Sequence, residues 1–412
     1  MVQTEDIVAE DNEKVLPRAP KGVPDGNYKL IGWSIDTTGR RLIDEICQIA
    51  AYSTTSQFSQ HIMPFSDLNV GSRRRHNLRI INIGRYRMLK NLKTNKFVKT
   101  KSEISALTDF LTWLEANRGD AKDGVILVYH EFRKTSPAML LEALRRYSLI
   151  ERFSQVVKGF ANGFNIASVQ CKNTTKSFSL RVMSRMLLNK EDDFGNAIDR
   201  AQAAFEVVVH LGQAEKTDVN DTNANNNNEG HISSFISKFV NPVSAEEEEI
   251  ANFKVLLERQ NTFRPVFGAL MKATLPERRH ASHLRRLLAE NNIDYAKLQS
   301  AYESSAKDGI EGILKNEVPN AKEKDLTELL EILDCFFDPE KKAIQPKPRF
   351  FANQNRNPRS RTQSNNNKEN GEVNGNNNST EGSVNTSSSE TTPRTVENGI
   401  VEQSQPSETV VQ

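Results

Sequence analysis

Residues 28–39 read YKLIGWSIDTTG. Leu30, Ile31, Trp33 and Ile35 are strand-forming, buriable side chains, and Thr37-Thr38-Gly39 ends the run. The stretch is a strand closed by a tight turn. Everything else in the chain is placed by working outward from it.

At 412 residues the chain has room for two domains of ordinary size with tails. A formal charge of +2 provides no global basic field, so attraction to nucleic acid has to be local. Cys47, Cys171 and Cys335 are far apart and odd in number. They form neither a disulfide framework nor a metal-spaced pair, which suits a reducing cytosol. The opening MVQTEDIVAEDNEK is acidic and polar, unlike a signal or transit peptide. No apolar run approaches the roughly 18 residues of a membrane span. The expectation is a soluble cytoplasmic protein that makes no membrane contact.

Residues 1–26 hold Pro17, Pro20 and Pro24 among charges and read as a flexible leader. Strand-like runs follow at 28–35, 43–52 and 57–63, with short polar breaks that favour antiparallel hairpins. Residues 64–101 are polar and strongly basic. Thr100 and Glu103 have capping-box spacing, and Ile104, Leu107, Phe110, Leu111 and Leu114 continue at helical intervals. VILVY at 125–129 has the length of a strand buried on both faces. Ser136 caps the next helix, with Pro137 at its first position. A strand is expected in 155–160, then helices over 178–188 and 197–211. The order of elements over 27–212 is three strands, helix, strand, helix, strand, helices. Residues 213–243 read as an Asn-rich linker. From 244 to 338 the pattern is helical throughout, ending on a stripe of Leu326, Leu329, Leu330, Leu333, Phe336 and Phe337. Residues 339–412 are rich in Asn, Ser and Thr and read as a disordered tail.

The first strand and its turn resemble the first motif of the DEDD 3′-to-5′ exonucleases, Asp-x-Glu-Thr-Thr-Gly. The resemblance implies an α/β ribonuclease H-like domain with a mixed sheet. Such enzymes hold two divalent metals with four acids and use a general base, usually histidine. Thr37, Thr38 and Gly39 are kept, but the two acid positions read Ser34 and Asp36. The second motif, His-Asn-x-x-Phe-Asp, falls on residues 130–135, HEFRKT: His130 matches and the acid position is Thr135. The third, His-x-Ala-x-x-Asp-Ala, falls on residues 195–201, GNAIDRA: Gly195 stands at the base and Arg200 at the last ligand. Asp36 alone remains of the four acids. Arg200 would place a cation where a metal ion should sit, at a cost of several kcal/mol on a rough Coulomb basis. The expectation is a protein that is not an enzyme and has no metal and no cofactor. His61, His76, His130 and His210 form no ligand-spaced cluster.

Longer stretches are similar to the exuperantia family of insect maternal proteins. They are YKLIGWSIDTTGRRLIDEICQIAAYS, VILVYHEFRKTSPAMLLEAL and TFRPVFGALMKATLPERRHASHLRRLL. The resemblance runs from about Asn27 to Phe337. It implies an inactive exonuclease-like domain, a small all-α SAM-like domain, a homodimer, and RNA binding in messenger RNA localisation during oogenesis.

The residues themselves offer three basic stretches. On the helix near Leu275, Arg278 and Arg285 share one direction and Arg279 and Arg286 another, opposite Leu284, Leu287 and Leu288. Lys272, His280 and His283 are nearby in sequence. Arginine suits phosphate through paired hydrogen bonds, although a solvated helix face has the same pattern. Arg73-Arg74-Arg75 form a second stretch, or simply a surface loop. The third is Lys341, Lys342, Lys347, Arg349, Arg356, Arg359 and Arg361, with Phe350 and Phe351 available for stacking. Two other functions stay open: a divergent nuclease using Asp36, Glu131 and Asp199 in shifted positions, and a scaffold that contacts only protein.

Overall fold

The computed structural model describes residues 19–191, 194–217, 228–319 and 321–341. β1 (Tyr28–Thr37) is the strand singled out by sequence, and β2 (Ile46–Tyr52) and β3 (Gln57–Ile62) follow it as antiparallel neighbours. α1 (Val70–His76) leads into a separate hairpin of β4 (Leu78–Ile83) and β5 (Tyr86–Asn91). The short β6 (Thr100–Lys101) pairs in parallel with β3. After α2 (Glu103–Arg118), β7 (Gly124–Tyr129) runs parallel to β1. α3 (Ser136–Arg146) and α4 (Ile150–Val156) precede β8 (Val157–Asn162), which is parallel to β7. α5 (Gly163–Gln170), α6 (Leu180–Leu188), α7 (Ala197–Thr217) and α8 (Asn228–Ser237) then lead to β9 (Val240–Pro242), antiparallel to β8. The result is a mixed seven-stranded sheet in the order β6-β3-β2-β1-β7-β8-β9.

Alternation along the central strands feeds two cores. Ile31, Trp33 and Ile35 of β1 and Val125, Leu127 and Tyr129 of β7 pack with α2, α3 and α4. Leu30, Ile126 and Val128 pack on the other face with α5, α6, α7 and α8. Such alternation follows from the two-residue period of a strand. The central strand VILVY is buried on both faces, as its composition predicts.

Gly32 sets how closely α7 lies on β1. A Cβ there would come within 2.1 Å of the Ala201 carbonyl oxygen, so only glycine permits this helix backbone against this strand. Ser34 and Asp36 share the face of Gly32, two and four residues on. Close packing of α7 therefore brings Arg200 to the end of β1.

The expected linker over 213–243 is not one throughout. Ile232, Phe235 and Ile236 of α8 are buried, and β9 joins the sheet. Apolar side chains three and four apart make a short helix that Asn-rich composition conceals. Residues 218–227 of that stretch lie outside the described residues. The leader is also partly built in: the Gly22 and Val23 N–H groups donate to Val240 and Ser237 carbonyls at 2.9 Å, and Ser233 Oγ donates to the Gly26 carbonyl. Its first 18 residues, and the tail from 342 onward, lie outside the described residues.

α9 (Val243–Thr262) begins in the sheet domain, where Val243 and Ile250 enter the core. A boundary at 244 therefore cuts through an element whose first turns belong to the earlier domain. α10 (Arg264–Phe267), α11 (Leu275–Glu290), α12 (Tyr295–Glu317) and α13 (Glu323–Phe337) form the helical domain. Its core includes Phe263, Phe267, Leu284, Leu288, Ile310 and Leu333. α12 is kinked at Ser305 and Ala306.

Candidate functional site: an arginine-lined cleft

The Thr-Thr-Gly turn is tied to its neighbours by backbone and hydroxyl groups. The Thr38 N–H donates to the Glu45 carbonyl at 2.8 Å, and Thr38 Oγ1 accepts from the Glu45 N–H at 2.9 Å. The Thr38 carbonyl accepts from the Asn69 N–H, and Asn69 Oδ1 caps α1 by accepting from the Ser72 N–H at 2.8 Å. This chain of bonds fixes α1 beside the end of β1 and delivers His76 and Arg75 there.

Asp36 is fully buried. Arg200 forms an ion pair with its Oδ1, and Arg200 Nε also donates to Ser34 Oγ at 3.2 Å. Arg200 Nη1 donates to the Phe194 carbonyl at 2.8 Å. His76 Nδ1 lies 2.6 Å from Asp36 Oδ1, at ion-pair distance though not aligned as a hydrogen bond. Its Nε2 accepts from Arg75 Nε–H at 3.1 Å and Thr37 N–H at 3.4 Å, which leaves the ring proton on Nδ1. Burial alone would raise the Asp36 pKa, but Arg200 and His76 outweigh it and hold the carboxyl below its ordinary value. Burial lowers the His76 pKa, and Arg200 and Arg75 add to the effect against Asp36, so the ring is neutral at pH 7.

His130, the residue that matches the second motif, is structural. Its Nε2–H donates to the Phe178 carbonyl at 2.7 Å, and burial pushes its pKa down to about 4. Glu131 caps α3 by accepting from the Thr135 and Ser136 N–H groups at 3.2 Å. Thr135, and not Ser136, stands at the N-cap. Asp199 is exposed while Arg200 faces the cleft, so the helix register does not bring Asp199 to the ligand position. Gly195 offers no side chain in place of a base.

These residues do not fit a two-metal centre. Such a centre needs several carboxylate oxygens, and Asp36 is the single acid at the motif positions. One of its oxygens is taken by the Arg200 guanidinium and the His76 ring, and the other is buried without a partner. Among the described residues no group of three or more His, Cys, Asp or Glu is arranged to hold a metal.

The other basic candidates are dispersed. Arg73 Nε donates to the Leu68 carbonyl at 2.7 Å, Arg74 is exposed, and Arg75 lines the cleft. On α11 the stripe is uneven. Arg278 is exposed, as is Lys272 just ahead of the helix. Arg285 is turned onto α9, where Nη2 and Nε donate to the Gln260 carbonyl at 2.7 and 3.1 Å. Arg286 pairs with Glu290 at 2.6 Å, and His280 with Glu328 at 2.7 Å. Arg279 is half-buried. Arg349 lies outside the described residues. Sequence reasoning missed His76, whose partner Asp36 is far away along the chain. The Asn69 and Ser72 capping spacing was the one local signal for its helix.

The fold and the site define a ribonuclease H-like domain with degenerate exonuclease motifs, followed by a SAM-like helical domain. Residues 28–187 match the exuperantia RNase H-like domain, and residues 264–336 the exuperantia SAM-like domain. Over 370 residues the chain is 38% identical to maternal protein exuperantia of Drosophila virilis, covering 81% of this chain and 75% of that protein. It is 39% identical over 379 residues to maternal protein exuperantia-1 of Drosophila pseudoobscura pseudoobscura, covering 83% and 75%. With the Drosophila melanogaster protein it shares 38% identity over 384 residues, covering 79% and 71%. The chain belongs to the exuperantia family.

Proposed function

We propose that the protein is a non-catalytic RNA-binding adaptor, a homodimeric pseudonuclease that acts in the oocyte cytoplasm on maternal messenger RNA. The observation that carries the non-catalytic part is Arg200 seated on Asp36, the one motif acid. A guanidinium there excludes a divalent cation by charge and by occupancy. The divergent-nuclease reading needs Glu131 and Asp199 as ligands, but Glu131 is engaged as the cap of α3 and Asp199 is exposed.

RNA binding is supported by the exposed cations Lys272 and Arg278 on the helical domain and Arg74 on α1. The relatives' names call them maternal proteins, which fits a role in the egg. Among the described residues no helix is long and apolar enough to cross a membrane. Gel-shift titration of single-stranded RNA at several salt concentrations tests the reading. Binding that weakens steadily with salt is expected, because neutralising phosphates releases counterions. No shift at low salt would leave a protein-only scaffold. Light scattering tests the dimer, and a monomer at micromolar concentration would remove that part of the proposal.

A further inference from the structure

The cleft at the end of β1 is lined by basic side chains. Arg40, Arg75, Arg133 and Arg200 line a volume of about 350 Å³, and among the described residues Glu131 is the sole acidic residue in that lining. Glu131 is committed to α3, and Arg200 is balanced by Asp36. Neither Arg40 nor Arg75 has a carboxylate at ion-pair distance among the described residues. Two further features point to a ligand. Trp33 is among the residues at the cleft; it is fully buried, and its indole N–H has no acceptor among the described residues. Phe132 lies at the cleft with 57% of its surface exposed, which leaves an aromatic face accessible there.

We propose that this cleft binds a single nucleotide through its phosphate monoester, held directly by arginine and without a metal ion. Guanidinium groups bond phosphate oxygens in pairs, and unbalanced ones gathered in a partly enclosed space repel one another until an anion arrives. Burial first, then Arg40 and Arg200, against the opposing pull of Asp36 and Glu131, lower the Arg75 pKa to about 10, so it stays charged at neutral pH. The volume suits a small ligand. Phe132 provides a stacking face that accepts any base. The phosphate comes from a free nucleotide or from the phosphorylated end of an RNA chain. The site rests on the cleft alone and is independent of RNA binding by the helical domain.

Calorimetric titration of the full chain with UMP, AMP and uridine, in EDTA, tests this. UMP and AMP are expected to bind within a few-fold of each other, and uridine far more weakly. Removing one arginine weakens charge-assisted phosphate binding by about tenfold, so the double variant Arg40→Gln/Arg75→Gln should bind about a hundredfold more weakly. Arg40→Gln alone and Phe132→Ala alter exposed side chains and keep the test open should the double variant misfold. Displacement of UMP by an RNA ending in a 3′-phosphate assigns the source to RNA ends, and failure to displace it assigns the source to free nucleotide. Lys272→Ser/Arg278→Ser should leave UMP affinity unchanged, so UMP binding without RNA binding counts against the adaptor alone. The proposal is overturned if UMP fails to bind at millimolar concentration, binds only with magnesium, binds no better than uridine, or binds equally to the folded arginine variants.

Discussion

The Arg200 guanidinium on α7 bonds both the Asp36 carboxylate and the Ser34 hydroxyl on β1. One side chain thus spans the two acid positions of the first exonuclease motif. Its placement depends on Gly32, which lets the α7 backbone lie against β1. A positive side chain now occupies ground that metal ions take in the enzymes this fold resembles.

Removing Arg200 should be costly because Asp36 is fully buried. Arg200→Ala leaves its carboxylate with His76 alone, and removal of one member of a buried pair costs roughly 3–5 kcal/mol. Adding Asp36→Asn should recover part of that loss. Urea denaturation of the two singles and the double measures the coupling. Additive losses would mean the pair is not coupled.

His130 makes stability pH-dependent. Its folded pKa, about 4, lies below the ordinary value near 6.5. The unfolded chain therefore takes up a proton first, and stability present above about pH 6.5 is lost as the pH falls towards 4. His130→Gln keeps an N–H for the Phe178 carbonyl and removes the titration. Denaturation midpoints measured between pH 7 and 4 should fall less steeply in the variant; an equal slope would assign the loss to other groups.

The arginines of α11 should separate into two kinds. Arg285→Ser breaks two hydrogen bonds to the Gln260 carbonyl and should cost about 1–2 kcal/mol of stability. Lys272→Ser/Arg278→Ser should leave melting unchanged and weaken RNA binding. The slope of log affinity against log salt should fall by roughly 0.7 for each phosphate that is no longer neutralised. An unchanged slope would move the RNA surface to Arg74 or to the tail.

Much of the fold is legible in sequence because the signals are local. β1, its turn and β7 come from short apolar runs, and Arg200 stands out once the third motif is laid on residues 195–201. What stays hidden depends on distant partners. α8 is built from a few apolar residues in a polar stretch, and they matter only because a sheet face is there to receive them. His76 acquires its role from Asp36, on another element. Arg285 shares a direction with Arg278 on the helical wheel, yet the end of α9 captures one and leaves the other in solvent.

The most direct test of a non-catalytic RNA adaptor is to incubate end-labelled single-stranded RNA with the full chain in millimolar manganese and resolve it on native and denaturing gels together. The account predicts RNA that is shifted on the native gel and full-length on the denaturing gel. A ladder of shortened products that disappears with Asp36→Ala would contradict it.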